Sequence, residues 1–360
     1  MTDEDPADAV PASPDGKAPR RGSAPTIRDV ARLADVSIGT ASKALNASGV
    51  LRQETRDKVT RIAREIGYRP NDMAQSLHRS KSMTVGILST DSFGRFTFPI
   101  FQALEERLAD QGIAVFMCNA TDDPARERQH IDQLLGKRVD GIVVTARRSD
   151  RRPPVEVNVP GLPVIYVFSQ TDDPDAFCLL PDDEGGARLA IEHLVRLGRQ
   201  RIAHVTGPQH FEAVRLRHLG YSSTLAAAGL AEPEGYFISG KWAEQSGYDA
   251  VARLVDGPLP RPDAIFCGND QIARGVLDGL RERGISVPGD IAIIGFDNWD
   301  AMVEATHPKL TSVDMNLKAL GRQAGERLLD MIAGQRLVGT RRLPATLVVR
   351  QSCGAPAASP

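Results

Sequence analysis

The residues best suited to chemistry are polar side chains that directly follow predicted buried strands. Asn269 and Asp270 come just after an apolar run ending at Cys267, and Asp297 and Asn298 stand in the same place after a later run. Carboxylates and amides can grip vicinal hydroxyl groups, and open α/β sheets place ligands at the carboxyl ends of their strands. The pattern indicates a site for a small hydroxyl-rich molecule. Carboxylates after strands also serve as helix caps, and Asp270 fits that role better.

A second set of candidates lies on the outer side of a short helix near the N-terminus. The segment after Ser37 predicts a helix to about Asn46, with Ala41, Ala44 and Leu45 on its packed side. Its outer side carries Ile38, Gly39, Ser42, Lys43 and Asn46. A lysine on such a face can donate to O6 and N7 of guanine in the major groove. The pattern therefore indicates an element that docks against DNA.

The motif inventory argues against catalysis. The sequence contains no GxGxxG, Walker loop, nucleophile elbow or HExxH motif. Its seven histidines show no metal-ligand spacing, and its four cysteines stand far apart without a CxxC pair. We therefore expect no enzymatic activity, no cofactor and no metal site.

The charge distribution separates a small basic module from a mildly acidic body. The whole chain has a formal net charge of −2. Residues 20–82 nevertheless hold thirteen lysines and arginines against six acidic residues, whereas residues 1–19 are acidic. Because attraction to phosphate depends on local charge, the basic stretch fits a DNA-binding module in spite of the net charge.

The elements that position these residues follow from the apolar pattern. Residues 1–24 are rich in Pro, Ala, Ser and acid, which predicts a disordered arm. Residues 25–70 predict three short helices, with Thr26 and Ser37 as N-caps and a stop at Gly67. Three short helices in so little chain predict an all-α helix-turn-helix domain.

Strand-then-helix units follow from about residue 83 to 353. The predicted strands span 84–88, 114–118, 141–145, 163–168, 201–206, 264–267 and 291–294. Short apolar strands that alternate with helices predict parallel sheets covered on both faces. The length suits an α/β core of two parallel-sheet subdomains, followed by a tail at 354–360. We expect the first subdomain at about 83–180 and 314–340 and the second at about 181–313 and 341–353.

The N-terminal module resembles the lactose/purine repressor (LacI) family in two stretches, TIRDVARLADVSIGTASKALN and TRDKVTRIAREIGYRPNDMAQSL. The resemblance implies that Ile38, Gly39 and Lys43 read bases and that Thr40 and Ser42 contact phosphate. Thr26, Ser37 and Asn46 complete the DNA-contacting set predicted for this module. The DNA partner implied is a double-stranded operator.

Three residues depart from the family pattern. Asp35 replaces the usual turn glycine, which is tolerable because Asp adopts left-handed backbone more readily than most residues. Lys43 stands where Arg is common, so a point charge replaces a planar fork. Gly39 has no side chain with which to read a base edge. Docking should be retained, and the operator sequence stays open.

Residues 71–82 resemble the family's hinge helix and linker, which order when two subunits meet over DNA. Met73, Ala74 and Leu77 can share one side of such a helix. The implied contacts with DNA come from Asn71, Ala74 and Leu77, with Leu77 as the wedge that partly unstacks the central step. The alternative is that Leu77 packs against the body of the protein. Pairing of two hinges predicts a homodimer on a pseudo-palindromic operator.

The core resembles the family's effector domain, which shares the fold of periplasmic sugar-binding proteins. The matching stretches are GGARLAIEHLVRLGRQRIAHVTGP, RHLGYSSTLAAAGL and AIFCGNDQIARGVLDGLRERGISVPGDIAIIGFDN. The resemblance implies that Arg217, Asn269 and Asp297 grip an effector, while Phe96 and Trp242 form aromatic walls. Asp297 could alternatively brace the two subdomains.

The resemblance implies a repressor whose operator affinity is switched by a small effector. Thr97, Phe211 and Ala213 stand where effector-specific positions vary, and they offer little to the polar edge of a purine. A sugar is therefore favoured for a sugar-utilisation operon. A nucleoside or sugar phosphate stays open as the effector, as does its role as inducer or corepressor.

Two other functional classes share parts of this pattern. A periplasmic sugar-binding protein would need a signal peptide and should lack the basic head, whereas this N-terminus has no basic-then-apolar leader. No apolar run approaches the length of a membrane span, so we expect a cytoplasmic protein without a membrane partner. A transcriptional activator would use identical parts and stays open.

Overall fold

The computed structural model describes residues 25–46, 48–68, 81–92 and 94–356. The chain divides into two units, Met1–Ser80 and Lys81–Pro360. The predicted arm and the predicted hinge contacts Asn71, Ala74 and Leu77 lie outside the described residues. Among the helices that are described, none has the length and apolar character needed to cross a membrane.

The described part of the first unit contains three helices, α1 (Ile27–Leu33), α2 (Ile38–Leu45) and α3 (Gln53–Glu65). Small apolar side chains let the helices approach closely around a core of Val30, Ala31, Ala34, Ala41, Ala44, Val59, Ile62 and Ala63. The turn between α1 and α2 passes through Asp35 at φ +53°. This left-handed backbone is what the replacement of a turn glycine by aspartate predicts.

The second unit begins with β1 (Thr84–Ser89), α4 (Thr97–Ala109), β2 (Ala114–Asn119), α5 (Pro124–Gly136), β3 (Gly141–Thr145), β4 (Arg151–Arg152), β5 (Val164–Val167), β6 (Gln170–Thr171) and β7 (Phe177–Pro181). It continues with α6 (Asp183–Arg196), β8 (Ile202–Thr206), α7 (Glu212–Ala227), β9 (Phe237–Ser239), α8 (Glu244–Val255), β10 (Ala264–Cys267), α9 (Asp270–Glu282), β11 (Ala292–Phe296) and α10 (Asp300–Val303). It closes with β12 (Thr311–Asp314), α11 (Leu317–Ile332), β13 (Gly339–Leu343) and β14 (Thr346–Val348).

The first sheet has the strand order β13-β7-β5-β3-β1-β2, with every neighbouring pair parallel. Alternate residues of β1 and β3 enter opposite faces: Ile87 and Val143 join one core cluster, and Leu88 and Val144 join another. Helices α4 and α11 pack together closely at Gly321, where a Cβ atom would lie 2.3 Å from the Ile100 carbonyl oxygen. Strands β4 and β6 form a separate parallel ribbon.

The second sheet has the order β14-β12-β11-β10-β8-β9, parallel except for the antiparallel pair β12–β14. Strands β8, β10 and β11 are wholly buried, because α6 and α7 pack together and α8 and α9 form a second packed pair. The chain passes between the two sheets after β7, after β12 and after β13. The last passage lies between Leu343 and Thr346, slightly past the expected boundary near 340, because β13 pairs with β7 as far as Leu343.

Candidate functional site

Helix α2 presents the predicted base-reading side chains on its outer side. Ser37 caps the helix by accepting the backbone N–H of Thr40 at 3.1 Å, and the two hydroxyl oxygens lie 2.9 Å apart. Because Ala41 and Ala44 are buried, the opposite side leaves Ile38, Gly39 and Lys43 exposed. Ile38 is 49% exposed, so packing among the described residues does not account for a large apolar side chain at this position. Base reading by these residues stays a prediction.

Two further contacts fix the orientation of groups around α2. Asn46 donates from Nδ2 to Ser42 Oγ at 3.2 Å, which links two residues predicted to face DNA. The stem of Lys43 lies against Gly49, where a Cβ atom would sit 3.3 Å from Lys43 Cδ. Lys43 is exposed and makes no ion pair with any described residue, so its ammonium group is available to an external partner.

Thr26 begins α1 through a reciprocal cap with Asp29. Its backbone N–H and its hydroxyl group both donate to Asp29 Oδ2, at 2.9 and 2.7 Å. The hydrogen bond from the Thr26 side chain is the largest cause that lowers the pKa of Asp29. The predicted capping arrangement is therefore present, while contact of Thr26 with phosphate stays a prediction.

Asp297 lies where the two subdomains meet, in the crevice that we call the cleft. It follows β11 with a left-handed φ of +103° and is buried. One carboxylate oxygen pairs with Nη2 of Arg95, which comes from the segment between β1 and α4 of the first subdomain. The other lies 3.8 Å from Nη1 of Arg217. Burial raises the pKa of Asp297, and the two guanidinium groups act in the opposite direction.

Arg217 is fixed from several sides. Its Nε donates to Asp183 Oδ1 at 2.8 Å, and its guanidinium carbon lies 3.6 Å from the centre of the Phe296 ring. Burial raises the pKa of Asp183, opposed by the charge of Arg217. Asp183, Arg217, Asp297 and Arg95 thus form a row of alternating charges, here called the charge ladder. The predicted effector residues Arg217 and Asp297 are neighbours in it.

The start of α9 corrects one expectation. Asn269, rather than Asp270, is the N-cap, and its Oδ1 accepts the Ile272 N–H at 2.8 Å. Asp270 instead accepts the Trp299 N–H at 2.7 Å and contacts Ser312 Oγ at 2.5 Å, so it braces the loop that carries Asp297. Its pKa is raised to about 8, first by burial and second by the charge of Asp297.

The two predicted aromatic residues occupy separate walls, each with a partner that sequence reasoning did not assign to a wall. Phe96 stacks on Phe168 with ring centres 4.8 Å apart. Trp242 lies against Gly207, where a Cβ atom would fall 2.3 Å from the indole, and it stacks on Phe211 at 6.4 Å. Gly207 is therefore needed for the position of Trp242.

Several polar residues at the strand ends were missed. Buried oxygen atoms without hydrogen-bond partners among the described residues include Asp91 Oδ1, Thr145 Oγ1, Ser169 Oγ and Thr206 Oγ1. They lie at or just beyond the carboxyl ends of β1, β3, β5 and β8. The signal that selected Asn269 and Asp297 could have found them, had it been applied to every strand.

A cavity of about 380 Å³ opens at the same edge of the first sheet. It is lined by Thr90 and Ser169 and by the arginines Arg147, Arg148 and Arg152, and it contains none of the predicted effector residues. Over the described part of the chain, no cluster of three or more His, Cys, Asp or Glu residues could hold a metal ion.

Comparisons with known proteins match both units. Residues 26–71 match the family described as "Bacterial regulatory proteins, lacI family", and residues 191–353 match a periplasmic binding protein-like domain. The chain is 32% identical over 328 residues to the ribose operon repressor of Escherichia coli (strain K12), which covers 91% of this chain and 98% of the relative. It is 30% identical over 339 residues to the transcriptional repressor CytR of the same organism, with 93% and 98% covered.

Solved structures agree with this assignment. The lac repressor dimer bound to operator and the anti-inducer ONPF superposes with a TM-score of 0.75 and 27% identity, covering 92% of this chain and 100% of that one. The complex of the regulator CelR with cellobiose gives a TM-score of 0.62 and 28% identity, covering 91% and 99%. The predicted fold, a helix-turn-helix domain followed by a periplasmic-binding-protein-like core, is confirmed. The chain belongs to the lacI family of bacterial regulatory proteins.

Proposed function

We propose that this protein is a transcriptional repressor whose affinity for operator DNA is switched by a small neutral sugar bound in the cleft. The observation that carries the effector assignment is the set of buried oxygen atoms of Asp91, Thr145, Ser169 and Thr206 that have no hydrogen-bond partner in the described part of the chain. A buried polar group costs free energy unless it is hydrogen-bonded. A ligand with several hydroxyl groups can satisfy such atoms, and the Phe96–Phe168 stack offers a flat surface for its ring.

The pairing of the nearby cations favours a neutral sugar over a sugar phosphate. Arg217 pairs with Asp183 at 2.7 Å and Arg95 pairs with Asp297. Arg148 lies 3.4 Å from Asp150 and over the ring of Phe211. A phosphate bound at Arg95, Arg148 or Arg217 would lie beside the carboxylate that already pairs with that arginine. Hydroxyl groups can instead bind Asp91 Oδ1 and Asp183 Oδ2, which are buried and have no hydrogen-bond partner among the described residues.

The relatives support a sugar as effector and an operator as partner. The ribose operon repressor resembles this chain along nearly its whole length. CelR is known with cellobiose, and a related regulator from Alkaliphilus metalliredigens, of TM-score 0.61 and 26% identity, is known with D-xylulofuranose. The lac repressor was solved as a dimer on its operator. By this analogy the present chain acts as a homodimer on a pseudo-palindromic site.

In this proposal Lys43 and Ile38 reach base edges, Thr40 and Ser42 position the helix on phosphate, and Leu77 enters the minor groove. The protein acts in the cytoplasm and catalyses no reaction. A role as a sugar-binding protein that does not bind DNA is disfavoured. The exposed side of α2 carries a lysine that pairs with none of the described acidic residues, and a sugar carrier has no use for such a surface.

The proposal is tested with purified full-length protein in two steps. First, thermal shift measures binding of D-ribose, cellobiose, sugar phosphates and nucleosides, because a ligand specific to the folded state raises Tm. Second, fluorescence anisotropy measures affinity for an operator selected from random DNA, with and without the ligand that shifts Tm. We expect a neutral sugar to raise Tm and to change operator affinity. Selection that enriches no DNA sequence would refute the repressor assignment.

A further inference from the structure

Arg95 crosses the cleft, although it belongs to neither set of predicted site residues. It lies in the first subdomain, and its Nη2 pairs with Asp297 in the second. Its Nη1 donates to Gln271 Oε1 of α9 at 3.2 Å. Its guanidinium carbon lies 4.3 Å from the centre of the Trp299 ring and 4.9 Å from that of Phe96. One side chain of the first subdomain is thus enclosed by groups of both.

The charges of the cleft make this contact strong. Asp297 has two possible cationic partners, but Arg217 is 3.8 Å away and is already held by Asp183 at 2.7 Å. Arg95 is therefore the main partner of Asp297. The pair is also shielded from water, since the Asp297 side chain is 4% exposed and that of Arg95 is 14% exposed. A buried carboxylate that loses its partner is strongly unfavourable.

The position of Arg95 conflicts with the role proposed for Asp297. A sugar gripped by Asp297 and stacked against Phe96 needs the carboxylate oxygen and the aromatic face that the guanidinium group contacts. Two ligands that need the same oxygen and the same ring face exclude each other. The effector and Arg95 therefore compete for one place.

We propose that Arg95 is an internal competitor of the effector: it closes the cleft by binding Asp297, Gln271 and Trp299, and an effector must displace it. This inference rests on the proposed function only in taking Asp297 as part of the effector site. The effector then binds only the fraction of protein in which Asp297 is free of Arg95. Its apparent Kd equals its intrinsic Kd divided by that fraction. Arg95 therefore sets the effector concentration needed to occupy the cleft, whereas the shape of the site selects the ligand.

The closing contact is tested without any sugar. In a Cys118→Ser background, spin labels at Ala125→Cys and Lys241→Cys, both exposed and each beyond a strand end of a different sheet, report the width of the cleft by double electron–electron resonance. Arg95→Ala should shift the distances to longer values and broaden them. Asp297→Asn should do the same from the other side of the contact. The matched control is Arg126→Ala, which removes an exposed arginine whose side chain bonds only Thr121 within the described structure.

Chemical rescue separates a specific contact from a general loss of structure. Methylguanidinium fits the place vacated in Arg95→Ala, so millimolar amounts should restore the short distance in that variant. Sodium chloride at equal ionic strength should not. Unchanged distances in both Arg95→Ala and Asp297→Asn would overturn the proposal, as would a wide cleft in Arg95→Ala that methylguanidinium fails to close.

Competition is measured with D-ribose and cellobiose as probes. In calorimetric titrations with the same sugar, the apparent Kd of Arg95→Ala should be severalfold lower than that of wild type. The apparent Kd of Arg126→Ala should equal that of wild type. Weaker sugar binding by Arg95→Ala would make Arg95 a gripping residue and overturn the competition. If no sugar binds to either protein, the sugar assignment under the proposed function fails, while the distance measurements still decide whether Arg95 closes the cleft.

Discussion

Replacing Asp270 with asparagine is expected to remove a large part of the pH dependence of stability. Asp270 is fully buried, and its pKa is raised to about 8 by burial and by the charge of Asp297. At neutral pH the side chain is therefore mainly the protonated acid. An asparagine has nearly the same shape, and its oxygen can accept the Trp299 N–H as Asp270 does. Its Nδ2 replaces the oxygen to which the Ser312 hydroxyl donates, so that hydroxyl must turn to accept from the amide.

The sign and size of the effect follow from linkage. An aspartate in the unfolded chain titrates near a pKa of about 3.9, so between about pH 4 and 8 the unfolded state loses a proton that the folded state keeps. The contribution of Asp270 to the free energy of unfolding is complete below that window, and it falls by about 1.4 kcal/mol per pH unit within the window. From about pH 6 to 7.5, wild type should lose about 2 kcal/mol that Asp270→Asn does not lose.

Thermal unfolding followed by circular dichroism across this pH range measures the difference. The Tm of wild type should fall by a few degrees more than that of Asp270→Asn. Asp278→Asn is the matched control, because it neutralises a more exposed acid on the same helix. Its Tm should follow the wild-type curve. Parallel pH profiles for wild type and Asp270→Asn would refute the reasoning, because they would mean that Asp270 titrates alike in both states.

Four further outcomes are expected. Lys43→Ala should weaken operator binding by about 1–3 kcal/mol if it contacts a base, and equal loss on random DNA in a binding titration would make it a phosphate contact. Leu77→Ala should lower affinity for the operator and leave non-specific DNA binding unchanged; a gel-shift bending assay that finds straight operator DNA in the wild-type complex would contradict this. Gly207→Ala should weaken effector binding by displacing Trp242, as calorimetry would show. Asp297→Ala should abolish the effector's influence on operator affinity; a less stable protein with intact effector binding would mark a bracing residue instead.

The helix-turn-helix unit was predictable because its signals are local. The caps at Thr26 and Ser37 and the buried alanines of α2 lie within a few residues of one another. The two predicted caps directly precede α1 and α2, and the predicted ends near Asn46 and before Gly67 lie within two residues of those observed. The left-handed turn at Asp35 was also accessible, since it depends on the intrinsic preference of one residue.

The cleft was only partly predictable because its contacts are distant in sequence. The partners of Arg95 in the second subdomain lie 176 and 202 residues away, so no local pattern marks it. Seven of the described strands were missed, namely β4, β6, β7, β9, β12, β13 and β14. Five of them have two to four residues and carry little periodicity. β13 is a largely exposed edge strand, whereas β7 is a wholly buried run that the apolar pattern could have indicated. Helix capping explains the exchange of roles between Asn269 and Asp270, since either side chain can accept the N–H groups at a helix start.

The groups proposed to recognise the effector are also those that hold the two subdomains together. Asp270 bonds the backbone of Trp299, Trp299 stacks on Arg95, and Arg95 pairs with Asp297. A ligand that takes Asp297 therefore cannot bind without changing what joins the subdomains. Since a ligand shifts a conformational equilibrium only by its differential affinity for the two states, the contact that Arg95 loses is part of that difference. Under the proposed competition, effector binding and the loss of the Arg95–Asp297 contact are one event, and the strength of that contact sets the effector concentration at which the event occurs.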